Sequence, residues 1–328
     1  MVANVTSGFV HDIDPVLTQI GDLYLWWYGL AYTVGFLGIF LWLRYVRGRL
    51  GLSLAQIYDL SIAIAASVLI GGRLVEVIFY EWSYYGQHLA HIVAYWLGGM
   101  STHGILAGSV VGIWFFARRQ GVSFLEITDE LVIPGAFFMG VGRIGNFIDG
   151  QIVGAPADVW WAVKFPDVEG FRHPVVLYDG VKNLLLVPLL LLFRRAKPPP
   201  GSLTAQFIFW YGILRFLVDQ FREYRVSLFG LGPGQAFNLL MALAGLLLMW
   251  WCWRRARRES TAPKRVRAEG EKVVGSLWTR RIILCALLLF PLIIPSDWTQ
   301  DVPTRYGDRH SGMEHGLIYP IIDPAPTE

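Results

Sequence analysis

The chain is poor in cysteine and in charge. Its two cysteines, Cys252 and Cys285, lie in or beside apolar segments and offer neither a disulfide framework nor metal-ligand spacing. They read as inert packing residues. Charged residues fill 16% of the 328 positions, against roughly 25% in a typical soluble domain. A pair of soluble domains, which the length alone would allow, is therefore excluded. The formal charge of +3 is too small to suggest nucleic acid as a partner. Met1 to Pro15 carries no Lys or Arg, and no apolar run precedes Leu23, so no cleaved signal peptide is expected and the first apolar helix directs insertion. What the chain does have is apolar residues: 54% of positions, with 15% aromatic, gathered in long blocks. This is the composition of a polytopic membrane protein.

A helix needs about 20 mostly apolar residues to cross the bilayer core. Candidate spans run near 23–43, 60–80, 104–117, 127–142, 175–193, 204–221 and 236–253, the third and fourth short unless flanking residues join them. A further candidate at 282–295 is short and contains Pro291, so it is either a weak span or an interfacial segment. Basic residues test the order independently, because they collect on the cytoplasmic side. With the N-terminus outside, 18 of the 28 Lys and Arg fall on inside segments and seven on outside ones. Every odd-numbered span then ends in a basic cluster: Arg44, Arg47 and Arg49, then Arg118 and Arg119, then Arg194, Arg195 and Lys197, then the run from Arg254 to Arg281. The expected fold is all-α, with seven transmembrane helices and a possible eighth. Residues 1–253 would form the membrane body, 254–281 a basic cytoplasmic linker and 282–328 a C-terminal extension. The longest outside segment, 143–174, exceeds ordinary loop length and suggests a small cap. No internal repeat is visible, which argues against a transporter built by duplication.

Ionisable residues inside spans are costly and are functional candidates by default. Arg73 and Glu76, three apart in the second span, could pair on one helical face. His103 heads the third span, ahead of Gly104, Gly108 and Gly112, whose four-residue spacing is that of close helix packing. The run Gly140-Val141-Gly142-Arg143-Ile144-Gly145-Asn146-Phe147-Ile148-Asp149-Gly150 combines a fork donor and an amide with four glycines, which suits an anionic headgroup as well as it suits a helix end with an interfacial arginine. In the sixth span Tyr211, Arg215, Asp219 and Arg222 follow by four, four and three residues, which places them on one face. Two arginines around one carboxylate leave a positive surplus in low dielectric, and an anionic ligand would balance it.

These motifs together resemble the prolipoprotein diacylglyceryl transferase family. The resemblance covers roughly residues 10–253. It includes Trp27-Tyr28-Gly29-Leu30, Gly71-Gly72-Arg73-Leu74, Gly98-Gly99-Met100-Ser101 leading to His103-Gly104, and the glycine-rich stretch through Gly154. It continues with His173-Pro174, Leu177-Tyr178, Arg215, Asp219 and Arg222, and Gly234-Gln235. It implies a seven-helix enzyme of the bacterial inner membrane, with the N-terminus and the site toward the periplasm. The implied activity transfers the diacylglyceryl group of phosphatidylglycerol to the lipobox cysteine thiol of a preprolipoprotein, forming a thioether and releasing glycerol phosphate. No metal or dissociable cofactor is implied. His103 would be the base, Arg143 and Arg215 would hold the phosphate, Asn146 and Tyr28 would orient the headgroup with Gly154 nearby, and Asp219 with Arg222 would position Arg215. The chain departs from the family pattern at Ile105, at Asp149 and Gln151, at Asp219 where Glu is usual, and at Ala155. The alternative reading is a divergent, non-catalytic phospholipid-binding paralogue, or a transferase with another acceptor.

Overall fold

A computed structural model describes residues 8–223, 232–259, 276–313, 318–320 and 322. In chain order the short strands β1 (Phe9–Val10), β2 (Val16–Ile20) and β3 (Leu23–Trp26) lead into the helices α1 (Trp27–Leu50), α2 (Leu54–Val75), α3 (Trp82–Tyr85), α4 (Thr102–Gln120) and α5 (Phe124–Ile148). Strand β4 (Val163–Lys164) precedes α6 (Val175–Arg195), α7 (Ser202–Val218), α8 (Pro233–Glu259), α9 (Leu277–Leu289) and α10 (Asp301–Tyr306). Among the described residues five helices are long and apolar enough to cross a membrane: Trp27–Leu50, Leu54–Tyr80, Phe124–Ile148, Val175–Arg195 and Gly234–Arg258. The protein is mostly helical and polytopic.

The all-α expectation needs a correction at the start of the first span. Leu23–Trp26 is a strand, paired antiparallel with β2 across Gly21 and Asp22. A two-residue Gly-Asp turn between β-branched and aromatic residues is a hairpin signal, and it outweighs the continuous apolarity that suggested helix. The expected outside segment also starts later, because α5 continues to Ile148 and carries Arg143 inside the helix. What remains irregular is tied down by β4, which pairs in parallel with β1.

The chain folds as two compact units. The first comprises residues 1–13 and 121–271, and its helices α5 to α8 pack in sequence, with α5 also against α7. Its α5–α7 connection is held by Asp129, whose carboxylate accepts from the backbone N–H of Gly201 at 2.7 Å and of Thr204 at 2.8 Å, capping the start of α7. Beside it Arg194 reaches Glu130 at 2.7 Å.

The second unit comprises residues 14–120 and 272–328, with α2 packed on α1, α4 and α9. A capping box at Ser53 and Gln56 starts α2. The glycine stripe does what its spacing suggested. A Cβ on Gly104 would strike the Gly71 carbonyl, one on Gly108 the Ser67 carbonyl, and one on Gly112 would sit 2.6 Å from Ser67 Oγ. Backbone therefore lies on backbone where α4 crosses α2. The expected Arg73–Glu76 pair does not form. Arg73, 2% exposed, donates instead to the carbonyls of Ile92, Gly98, Gly99, His91 and Ala94. Five acceptors in one irregular segment satisfy its fork better than one carboxylate could. Just past the span, burial pushes the Glu81 carboxyl up to about 6 against the pull of Arg73, and Glu81 accepts from the Thr299 backbone at 2.9 Å.

The C-terminal extension belongs to this unit. Arg280 pairs with Asp59, near the start of α2, at 2.7 Å. Further along, Thr33 near the start of α1 donates to the Leu288 carbonyl at 2.7 Å, and Gly29 lies against Pro291 and Leu292. Because α1 and α2 are consecutive antiparallel neighbours, the stretch from Arg280 to Pro291 runs from one end of that helix pair to the other. Its continuation buries Val302, Tyr306 and Met313 against Tyr24, Trp26 and Tyr85. The candidate at 282–295 thus traverses the unit. In a background without Cys252 and Cys285, single cysteines at Asp22 and Ser311 are expected to react with an impermeant thiol reagent from the same side of the membrane. Labelling from opposite sides would refute the traverse. Residues 260–275 of the expected linker lie outside the described residues.

Candidate functional site

The first unit gathers a set of buried charges from α5, α6 and α7. Asp179, on the first turns of α6 and 1% exposed, is at its centre. Arg143 Nε lies 2.6 Å from Asp179 Oδ2, while Arg215 Nη1 and Lys182 Nζ lie 2.9 and 3.1 Å from Oδ1. Three cations on three helices therefore share one carboxylate. Arg215 also reaches Asp219 Oδ1 at 3.3 Å, and Arg222 approaches the same oxygen at 3.8 Å. Asn238 of α8 donates to the other Asp219 oxygen at 2.7 Å. On α5, Arg143 donates to Asn146 Oδ1 at 3.1 Å, one helical turn on.

The α7 face forms much as its spacing suggested, although the helix tightens into a 3-10 turn at Asp219–Phe221 and Arg222 is already extended. The charge accounting differs from expectation. Instead of two arginines around one carboxylate, four cations surround two carboxylates. Such a set is stable in low dielectric only while its members are paired, and removing one partner of a buried pair costs about 3–5 kcal/mol. On the same face of α6, one turn beyond Asp179, Asn183 is fully buried and its amide has no hydrogen-bond partner among the described residues.

Gly154 is placed by backbone contacts. Its N–H donates to the His173 carbonyl at 3.1 Å, and Ala155 N–H to the Phe221 carbonyl at 2.8 Å. A Cβ at 154 would stand 2.5 Å from His173 O and 2.9 Å from Phe221 O, so only glycine lets the three segments meet beside Arg222. Tyr178 accepts from Trp161 Nε1 at 2.6 Å and lies 3.1 Å from His173 Nδ1. Burial lowers the His173 pKa, which favours the neutral ring.

His103 and Tyr28 belong to the other unit. His103 stands on the first turn of α4, where its Nδ1 lies 3.1 Å from the Tyr80 hydroxyl. Tyr80 closes a π-helix, Glu76–Tyr80, that continues α2. If Nδ1–H donates to Tyr80, Nε2 is left as the basic nitrogen. Tyr28 pairs with Tyr32 one turn along α1, their hydroxyls 3.0 Å apart. Among the described residues no group of His, Cys, Asp and Glu could hold a metal ion.

Sequence reasoning missed three members of these constellations. Asp179 and Lys182 are three apart inside an apolar span, so the rule that singled out Arg73 and Glu76 would have found them. Tyr80 had no signal, because its place beside His103 depends on the extra residue per turn of the π-helix.

Residues 15–251 match the family model of prolipoprotein diacylglyceryl transferase. The chain is similar to a phosphatidylglycerol–prolipoprotein diacylglyceryl transferase of Bordetella avium, 39% identical over 256 residues that make up 75% of this chain and 97% of that protein. It is equally similar, at 39% over 245 residues, to a protein of the same name from Geobacter sulfurreducens, covering 72% of this chain and 94% of the relative. A third, from Pseudoalteromonas atlantica, is 36% identical over 277 residues, which are 80% of this chain and 99% of that one.

Proposed function

This chain belongs to the prolipoprotein diacylglyceryl transferase family, and from that premise we propose that it transfers the diacylglyceryl group of phosphatidylglycerol to the lipobox cysteine thiol of preprolipoproteins in the bacterial inner membrane. The observation that carries this reading is the buried Asp179 carboxylate holding Arg143 and Arg215 at 2.6 and 2.9 Å. Two guanidinium forks fixed by one anchor retain further N–H donors for a phosphate, the ligand that arginine matches best.

His103 takes the proton of the acceptor thiol, since the thiolate is the nucleophile. Sulfur attacks the glycerol carbon that bears the phosphate. The carbon–oxygen bond breaks, its electron pair stays on the phosphate, and glycerol phosphate leaves. Arg143 and Arg215 stabilise the charge arriving on that oxygen, a role typically worth 10²–10³ in rate per donor. Asn146 and Tyr28 orient the headgroup, and Asp219 with Arg222 keeps Arg215 in place. No cofactor enters the chemistry. In this reading the chain crosses seven times in its body, α4 and α7 being the third and sixth crossings, with the N-terminus and the site facing the periplasm. The excess of basic residues on the opposite side supports that orientation.

The test uses purified protein, labelled phosphatidylglycerol and a lipobox peptide. Label is expected on the peptide, and none when its cysteine is replaced by serine. Folded wild-type protein that binds the lipid without transferring it would overturn the proposal in favour of a binding role.

A further inference from the structure

Within the Asp179 cluster, leaving aside the one-third-exposed Arg222 at its edge, the charges do not cancel. Arg143, Lys182 and Arg215 bring three positive charges, and Asp179 and Asp219 two negative ones. The two arginines match the two carboxylates, so the surplus is Lys182. This side chain is 5% exposed. Its ammonium lies 3.1 Å from Asp179 Oδ1 and 3.5 Å from the centre of the Tyr211 ring. The aromatic face favours a cation but carries no net charge to neutralise it. Helix packing does not call for such a lysine either, because Asp179 already has two guanidinium partners and a surplus buried cation is costly.

The reaction supplies the missing charge. Given the transfer proposed above, a phosphodiester with one negative charge and a thiolate become an uncharged thioether and a phosphate monoester. That monoester carries two charges once pH exceeds its second pKa of about 6. The sulfur–carbon bond forms and the carbon–oxygen bond breaks, so the second charge appears on phosphate only as the bond opens. We infer that Lys182 is a charge-matching residue for the departing phosphate: it tunes the Asp179 cluster to the dianion that forms during transfer rather than to the monoanionic headgroup of the substrate lipid. A cation of this kind acts on the transition state and product more than on the bound substrate, so it raises kcat more than it lowers KM.

The experiment compares wild type with Lys182→Met, Lys182→Gln and Lys182→Arg in detergent. It measures transfer kinetics, inhibition by glycerol phosphate and thermal unfolding. Lys182→Met removes the charge, keeps the apolar stem against Tyr211 and leaves Asp179 with both arginines. Its kcat is expected to fall about tenfold or more, with the KM for phosphatidylglycerol within about twofold, and glycerol phosphate to inhibit about tenfold less well. Lys182→Gln should behave alike, and Lys182→Arg should recover most of both losses. Unchanged kcat and inhibition in Met and Gln variants would overturn the inference, as would a raised KM at constant kcat. Failure of both neutral variants to fold would make Lys182 a structural ion-pair partner and overturn it too. Wild-type protein with neither transfer nor inhibition would instead remove the transferase reading beneath it.

Discussion

Asp179→Ala is expected to abolish diacylglyceryl transfer and to lower the thermal stability of the purified protein at the same time. The residue is 1% exposed and touches Arg143, Lys182 and Arg215 within 3.1 Å. Its removal leaves three cations on adjacent helices facing one another, with only Asp219 remaining, on Arg215. Breaking one buried pair costs about 3–5 kcal/mol, and here three contacts go together, although their effects will not add. The two arginines would also lose the anchor that aims them, so loss of activity should exceed what unfolding explains. Asp179→Asn separates the two effects. It preserves shape and removes only charge, and should lower kcat by at least about 10²-fold, the cost of losing one well-placed electrostatic group. Asp179→Glu keeps the carboxylate and should retain measurable activity. An alanine variant with wild-type rate and melting temperature would show that the arginines do not depend on Asp179.

His103→Ala should lower kcat by about 10²–10⁴-fold, the usual worth of a general base, with little change in affinity for the lipid. The loss should depend on pH in a defined sense. A free cysteine ionises with a pKa of about 8.5, so above that value the acceptor supplies its own thiolate and the base becomes dispensable. The deficit of the variant relative to wild type is therefore expected to shrink as pH rises from about 7 to about 9.5. Tyr80→Phe removes the oxygen 3.1 Å from Nδ1 and should produce a smaller loss with the same pH trend, since it disturbs only the orientation of the ring. A deficit that stays constant across that range would mean that His103 does something other than take the thiol proton.

Much of this protein is legible locally. Hydropathy is a property of a window of residues, and so the membrane class and the five long spans could be read directly. The four-residue glycine spacing of α4 announced a close helix contact because one helical turn is itself a local repeat. The spacing of Arg215, Asp219 and Arg222 worked for the same reason. The hairpin at Gly21–Asp22 was also present in the sequence, but the apolar run around it masked the turn.

Other features depended on which helix faces meet. Arg73 is followed by Glu76 at pairing distance along a helix, yet it turns to the carbonyls of His91 to Gly99, which no local rule could bring to it. The short segment 282–295 has too few apolar residues to declare itself a crossing. It is placed by packing on α1 and α2, where Asp59, Thr33 and Gly29 receive it. Asp179 is the clearest case. Its sequence neighbours say only that a carboxylate lies in an apolar helix, three residues before Lys182. That it joins Arg143 of α5 to Arg215 of α7 follows from the rotation and approach of three helices. The amino-acid order thus settles what each segment is, because burial preference and helical period act over a few residues. Tertiary packing alone decides which charges share a partner, because in low dielectric that choice is made by the helix arrangement that leaves the fewest of them unpaired.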